Sequence, residues 1–364
     1  MKTSKFLVTL ISVLAIAAMF AACSPAAPAA APAAEEAAPA AEEAAPAAPA
    51  APAAQKPERY VLVTFQAGHE SWNQMIQAGR DVIKNLGLNA TFEGPQGPAE
   101  WDAAGELTIL DQVAATNPTG IIITSADAET LVPGIERAVE AGITVECLDL
   151  KANTPLCNMV GTSFPEMGEV AAKRIVELCK DDIKNKGTCK VALTEIAGVY
   201  SEELRKQGLN SVLKDYPEIQ IVADVDDKSV PETTVTVVGQ ILAANPDLRV
   251  LHCLHGQGAA AMATAVKNAG LVPGKDVFII GNDLGSTTLA CIQAGECDST
   301  VGQDMYTMGG YAFLNLWMKQ HKVLENAIID GKYGAPYINP GTDLITKDNI
   351  GTLLENIKKI QAKF

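Results

Sequence analysis

From residue 60 onward, short apolar runs alternate with stretches whose apolar residues recur every three or four positions. Tyr60–Phe65 is apolar but for Thr64, the pattern of a strand covered on both faces. Trp72, Met75, Ile76, Gly79, Val82, Ile83 and Leu86 then follow helical spacing, and Gly87 supplies the stop. Leu88–Phe92 reads as a strand. Leu107, Leu110, Val113 and Ala114 mark a helix, and Gly120–Thr124 a strand. Leu131, Ile135, Ala138 and Val139 mark a helix ended by Gly142, and Ile143–Leu148 is the next strand. Further strands are expected at 189–194, 219–225, 249–254, 276–281 and 298–303, with helices between. Repeated strand–helix–strand units require parallel sheets with helices on both faces. The span from residue 57 to 364 suits two lobes better than one core.

A weak internal echo supports two similar lobes. Ala115–Gly120 leads into one strand and Ala243–Leu248 into another, each through Asn-Pro. Each is followed by a helix holding Ala-Val (Ala138-Val139, Ala265-Val266), a stop glycine (Gly142, Gly270) and a strand ending in Asp149 or Asp283.

The N-terminus has a different character. Lys2 and Lys5 precede an apolar run from Phe6 to Phe20, the length of an export signal's core. Ala21 and Ala22 lead to Cys23, and Met19–Cys23 resembles a bacterial lipobox, with Phe20 where Leu is usual. Residues 1–22 are therefore expected to be a signal peptide, and Cys23 the lipidated residue. Residues 24–56 are almost entirely Ala, Pro and Glu, the composition of a solvated spacer. The expected location is the outer face of a bacterial membrane.

A net charge of −15, nearly all of it beyond residue 56, argues against nucleic acid or an anionic membrane surface as partner. In an exported chain, disulfides are expected across the element boundaries at Cys147–Cys157, Cys179–Cys189 and Cys291–Cys297, leaving Cys253 over. No Cys-x-x-Cys and no Cys/His cluster occurs, so neither metal nor cofactor is expected. The dinucleotide fingerprint, the phosphate loop and the nucleophile elbow are also missing, which disfavours an enzyme on this scaffold.

Parallel sheets bind ligands beyond the carboxyl ends of their strands. Those ends carry Gln66, His69, Glu70, Trp72 and Asn73, then Thr124, Ser125 and Asp127, then Asp149. Later ends carry Glu195 with Arg205, His255 with Gln257, Asn282 with Asp283, and Gln303 with Asp304. Carboxylates, amides, an arginine and an aromatic face suit a small polyhydroxylated ligand. Plainer roles stay open. Trp72 lies on the apolar stripe of its helix, Asp149 and Asp283 fit helix caps, and Arg205 fits a solvated helix face. His255 fits a satisfied strand-end histidine, and Gln303 an ordinary turn.

These segments resemble the type I periplasmic sugar-binding proteins, the ribose-binding-like group that serves ABC importers. The resemblance runs through Gly120–Thr124 and Leu131 to Asp149, Ile196–Gly198 with Arg205 and Gly208, Ile280–Asp283, Val301–Gln303, and Gly341–Asn349. It implies an α/β fold of two doubly wound parallel-sheet lobes joined by a three-strand hinge. The lobes would comprise 57–161 plus about 304–337, and about 162–303 plus 338–364, with crossings near Gly161–Ser163, Asp283–Gln303 and Tyr337. It implies a monomeric binding protein that closes on a small sugar and presents it to a membrane permease, or to a chemoreceptor. The implied ligand contacts are Trp72, Asn73, Asp149, Arg205, His255, Asp283 and Gln303. Three departures put ribose itself in doubt: Leu150 follows Asp149 where ribose readers have Arg, His255-Gly256 replace Asn-Asp, and no Phe pair adjoins Trp72-Asn73. A nucleoside, a furanosyl signal molecule or an amino acid remains an alternative ligand on the same fold.

Overall fold

In the computed structural model, residues 56–68, 71–323 and 337–363 are described. The signal peptide, Cys23, the spacer to residue 55, His69 and Glu70 lie outside them.

Two six-stranded sheets organise the chain. The first contains β1 (Glu58–Val63), β2 (Ala90–Gln96), β3 (Gly120–Ile123), β4 (Thr144–Leu148), β5 (Asn158–Val160) and β11 (Tyr337–Ile338), in the order β11-β5-β4-β3-β1-β2. The second contains β6 (Cys189–Glu195), β7 (Ile219–Asp226), β8 (Leu248–Cys253), β9 (Phe278–Asn282), β10 (Ser299–Gln303) and β12 (Thr342–Thr346), in the order β12-β10-β9-β8-β6-β7. Every pairing is parallel except β10 with β12. The chain changes sheets at 161–163, after Gln303 and at 339–341.

The helices are α1 (Ser71–Leu86), α2 (Ala103–Ala115), α3 (Val132–Glu140), α4 (Phe164–Lys186), α5 (Tyr200–Leu213), α6 (Pro231–Ala244), α7 (Ala259–Asn268), α8 (Ser286–Ala294), α9 (Met305–Gln320) and α10 (Ile350–Gln361). Their ends follow local chemistry. Ser163 accepts from Glu166 N at the start of α4, which stops at left-handed Gly187. Asp304 accepts from Thr307 N at the start of α9. Strand β2 ends four residues later than its apolar pattern predicts. Gly94 lets it continue, since a Cβ there would lie 2.7 Å from Leu62 O in the neighbouring strand.

Side chains alternate across β1. Tyr60 and Leu62 pack with Trp72, Met75, Ile122, Phe313 and Leu316 on one face. Val61 and Val63 pack with Leu110, Ile121, Ile135 and Val145 on the other. Each such side chain contributes roughly 1.5–3 kcal/mol of burial. Helix α9 follows β10 of the second sheet, yet its Met308, Ala312, Phe313 and Leu316 complete the core of the first. The second sheet has matching layers around Leu251, Met262 and Ile279, and around Val191, Leu193 and Leu209.

The structure joins Cys147 to Cys157, Cys179 to Cys189 and Cys291 to Cys297, with Cα separations of 5.5, 5.6 and 5.2 Å. Cys253 is buried and unpaired. No described helix is long and apolar enough to cross a membrane.

Candidate ligand-binding cleft

The two strand-end aspartates occupy the same local structure in the two sheets. Asp149 N donates to Val160 O (2.9 Å), and Asp283 N donates to Val301 O (2.8 Å). Both residues are left-handed, with φ of 61° and 60°. That conformation is uncommon outside glycine, and Asp tolerates it better than most. Neither residue caps a helix, since α8 starts after Gly285 and no helix directly follows Asp149.

A polar network surrounds Asp283. Gln303 Nε2 donates to Asp283 Oδ1 (2.9 Å), and Arg205 Nη2 lies 3.7 Å from the same oxygen. Arg205 Nη1 donates to Leu254 O (2.9 Å), and its guanidinium sits 5.0 Å from the Phe164 ring centroid. Arg205 is therefore buried and held from three sides, not solvated. Three buried atoms near these contacts have no protein partner: Asp149 Oδ1, Arg205 Nε and Gln303 Oε1. Burial, helped by the Asp283 charge and opposed by Arg205, pushes the Asp149 carboxyl up to about 7. The first sheet's aspartate thus shares an electrostatic field with the second sheet's Asp283 and Arg205. Two acceptors and a charged donor that are buried without a protein partner can bind the hydroxyls of a small polar molecule.

The family model described as "Periplasmic binding protein domain" matches residues 60–322. The chain belongs to this family. It is an extracytoplasmic binding protein, not an enzyme. The D-allose-binding periplasmic protein of Escherichia coli (strain K12) is 25% identical over 258 residues, covering 69% of this chain and 80% of that protein. A sugar-binding protein of a sugar ABC transporter from Bacillus halodurans superposes with a TM-score of 0.73 at 26% identity, over 81% of this chain and 99% of that one. An arabinose-binding protein from Geobacillus stearothermophilus gives a TM-score of 0.72 at 25% identity, over the same shares. The two-lobed type I architecture is thus the fold of this periplasmic binding protein.

Two residues of the binding protein stand apart from their expected roles. Trp72 is only 2% exposed, donates its indole N–H to Gln66 O (2.7 Å) and meets Phe65 edge-on. It belongs to the core, because its place on the apolar stripe turns it beneath the 64–68 turn. Its neighbour Asn73 is exposed on the first turn of α1. His255 is also turned inward. Nε2 lies 2.7 Å from Asp227 Oδ1, and Nδ1 lies 3.2 Å from Ser229 Oγ, so both ring nitrogens are engaged within the second lobe.

Sequence reasoning missed four residues of this binding protein. Phe65 carries the face on which Trp101 stacks, with ring centroids 4.0 Å apart. Phe164 supports Arg205 from the first turn of α4. Asp227 partners His255, and Glu202, raised to about 7 by burial, accepts from Ile196 N. Phe65 lies two residues past the end of β1 and Phe164 directly follows the crossing at 161–163, positions that are a usable signal. A separate cavity of about 600 Å³ lies between α9 and α10; it shares Gln303 but none of Asp149, Arg205 and Asp283.

Proposed function

We propose that this protein is the lipid-anchored receptor of an ABC importer for a monosaccharide, acting as a monomer that closes on its ligand. The lobes are 57–161 with about 304–337, and about 162–303 with 338–364, tethered through residues 24–56 to lipid on Cys23. Asp149, Arg205, Asp283 and Gln303 hydrogen-bond the sugar's hydroxyls. Asn73 joins them from the exposed first turn of α1. One observation carries the reading: the buried, unpartnered Asp149 Oδ1, Arg205 Nε and Gln303 Oε1 supply acceptors and a donor from both sheets. The arabinose- and allose-binding relatives point to the same ligand class. Because readers come from both lobes, only the closed form makes every bond, and that differential affinity drives closure.

The test is titration calorimetry of the purified protein against aldopentoses, aldohexoses, nucleosides and amino acids. Micromolar or tighter binding of one aldose, with a smaller radius of gyration at saturation, is the expected result. Binding of an amino acid or nucleoside alone would replace the sugar reading.

A further inference from the structure

The buried pair His255–Asp227 joins two turns across the end of a third strand. Asp227 follows β7 and His255 follows β8, while β6 lies between those strands in the sheet. Both turns are sewn to β6: Asp227 N donates to Glu195 O and Leu254 N to Thr194 O, each at 2.9 Å. Asp227 is fully buried and its carboxylate is saturated. Oδ1 takes His255 Nε2 (2.7 Å) and Ser229 N (3.0 Å), and Oδ2 takes Thr234 Oγ1 (2.7 Å). The turn between them is strained, with Lys228 and Ser229 left-handed at φ of 58° and 55°. Two consecutive non-glycine residues in that region cost on the order of 1–2 kcal/mol each. The arrangement brings Ser229 Oγ to His255.

The turn after β8 carries two parts of the cleft. Leu254 O is the acceptor that holds Arg205 Nη1. Gly256 lies against Asp283, where a Cβ would stand 3.2 Å from Oδ2. We propose that the His255–Asp227 pair is a positioning clamp: it fixes the 254–256 turn, and through that turn sets the geometry of Arg205 and Asp283 without touching ligand. Its effect on affinity rests on the sugar-receptor reading; the clamp itself does not.

Asp227, Ser229, His255 is also the residue set of a hydrolytic triad. Here Asp227 and Cys253 outweigh burial and raise the imidazole to about 10, so it stays an imidazolium and cannot take a serine proton. The charged and titratable groups around it are Asp227, Cys253, Glu202 and His252, and Arg205 in turn acts on Glu202 and His252.

The experiment compares wild type, His255→Gln, Asp227→Asn, the double variant and the milder Ser229→Ala, all full-length. One readout needs no ligand: the NMR signals of the Arg205 guanidinium and the His255 ring. The clamp predicts that both single variants move the Arg205 signal, and that His255 keeps its proton past pH 9 unless Asp227 is neutralised. The second readout is calorimetry with the best-bound aldose. Each single variant is expected to bind roughly tenfold more weakly, and the double no more weakly than the worse single. Ser229→Ala, which keeps the ion pair, should lose only a few fold. If no aldose binds wild type, the sugar reading falls while the Arg205 signal still decides the clamp. An unmoved Arg205 signal in both singles, or a wild-type His255 that titrates near its ordinary 6.5, overturns it.

Discussion

Replacing Asp149 by Asn should stabilise the ligand-free protein at pH 8 while weakening ligand binding. The Asp149 carboxyl, ordinarily near 3.8, is raised to about 7 by burial and by Asp283. Three pKa units correspond to about 4 kcal/mol, and solvent relaxation reduces the usable figure to about 2–4 kcal/mol. Below pH 3.8 the group is protonated in both states and contributes nothing. Between 3.8 and about 7 the unfolded chain ionises while the folded protein holds its proton, so stability falls as pH rises. Above about 7 both states are ionised and the deficit is constant. The Asp149→Asn protein would have no such slope from this position. Glu106, Glu146 and Glu202 are also raised by burial, to about 8, 7 and 7, but they act equally in both proteins and cancel in the difference. Thermal melts of both proteins at pH 5 and pH 8 test this. The Asn variant should gain roughly 5 °C at pH 8 and clearly less at pH 5. A gain of equal size at both values, or none at pH 8, would refute the electrostatic argument. In the same samples, ligand affinity should fall tens-fold, because a neutral amide is a weaker acceptor than a carboxylate.

Trp72→Ala should cost roughly 3–5 kcal/mol of stability in denaturant titrations, since Trp72 is core. Trp72→Phe should leave aldose affinity within a few fold. Arg205→Lys keeps the charge but loses the planar hold on Leu254 O and Phe164; calorimetry should show affinity down at least tenfold. Gly256→Ala should weaken binding several-fold with little change in melting temperature, as its Cβ presses on Asp283. Replacing both Cys179 and Cys189 by Ala should lower stability by about 2–3 kcal/mol in denaturant titrations, because the lost bond closes a 10-residue separation.

Much of this arrangement was legible in the chain. Apolar periodicity marks β1–β4 and β6–β10, while the short β5 and β11 and the antiparallel β12 carry too little pattern to show; the strand-end rule names Asp149, Arg205, Asp283 and Gln303 as candidates, and the structure brings Arg205, Asp283 and Gln303 into one network. Helical spacing could not place Trp72, because a residue at the end of an apolar stripe can face either the core or the cleft. The surroundings of His255 are hidden for a different reason. Its partner Asp227 lies 28 residues earlier in the turn after another strand, and no local pattern announces a pair made across a sheet's end. The matching left-handed backbones of Asp149 and Asp283 were equally hidden, although the echo that ends in those two residues marked them as equivalent.

Helix α9 has a consequence for how the chain is made. The first sheet's strands β1–β5 are complete by Val160, but Met308, Phe313 and Leu316 do not follow until far later, after the whole of β6–β10. Until those side chains arrive, Tyr60, Leu62 and Ile122 lack one wall of their core. Such distant pairing raises contact order and slows folding. A nascent chain carrying only the first five strands therefore has no finished first lobe to lock into, and that lobe can close its core only once α9 has been synthesised.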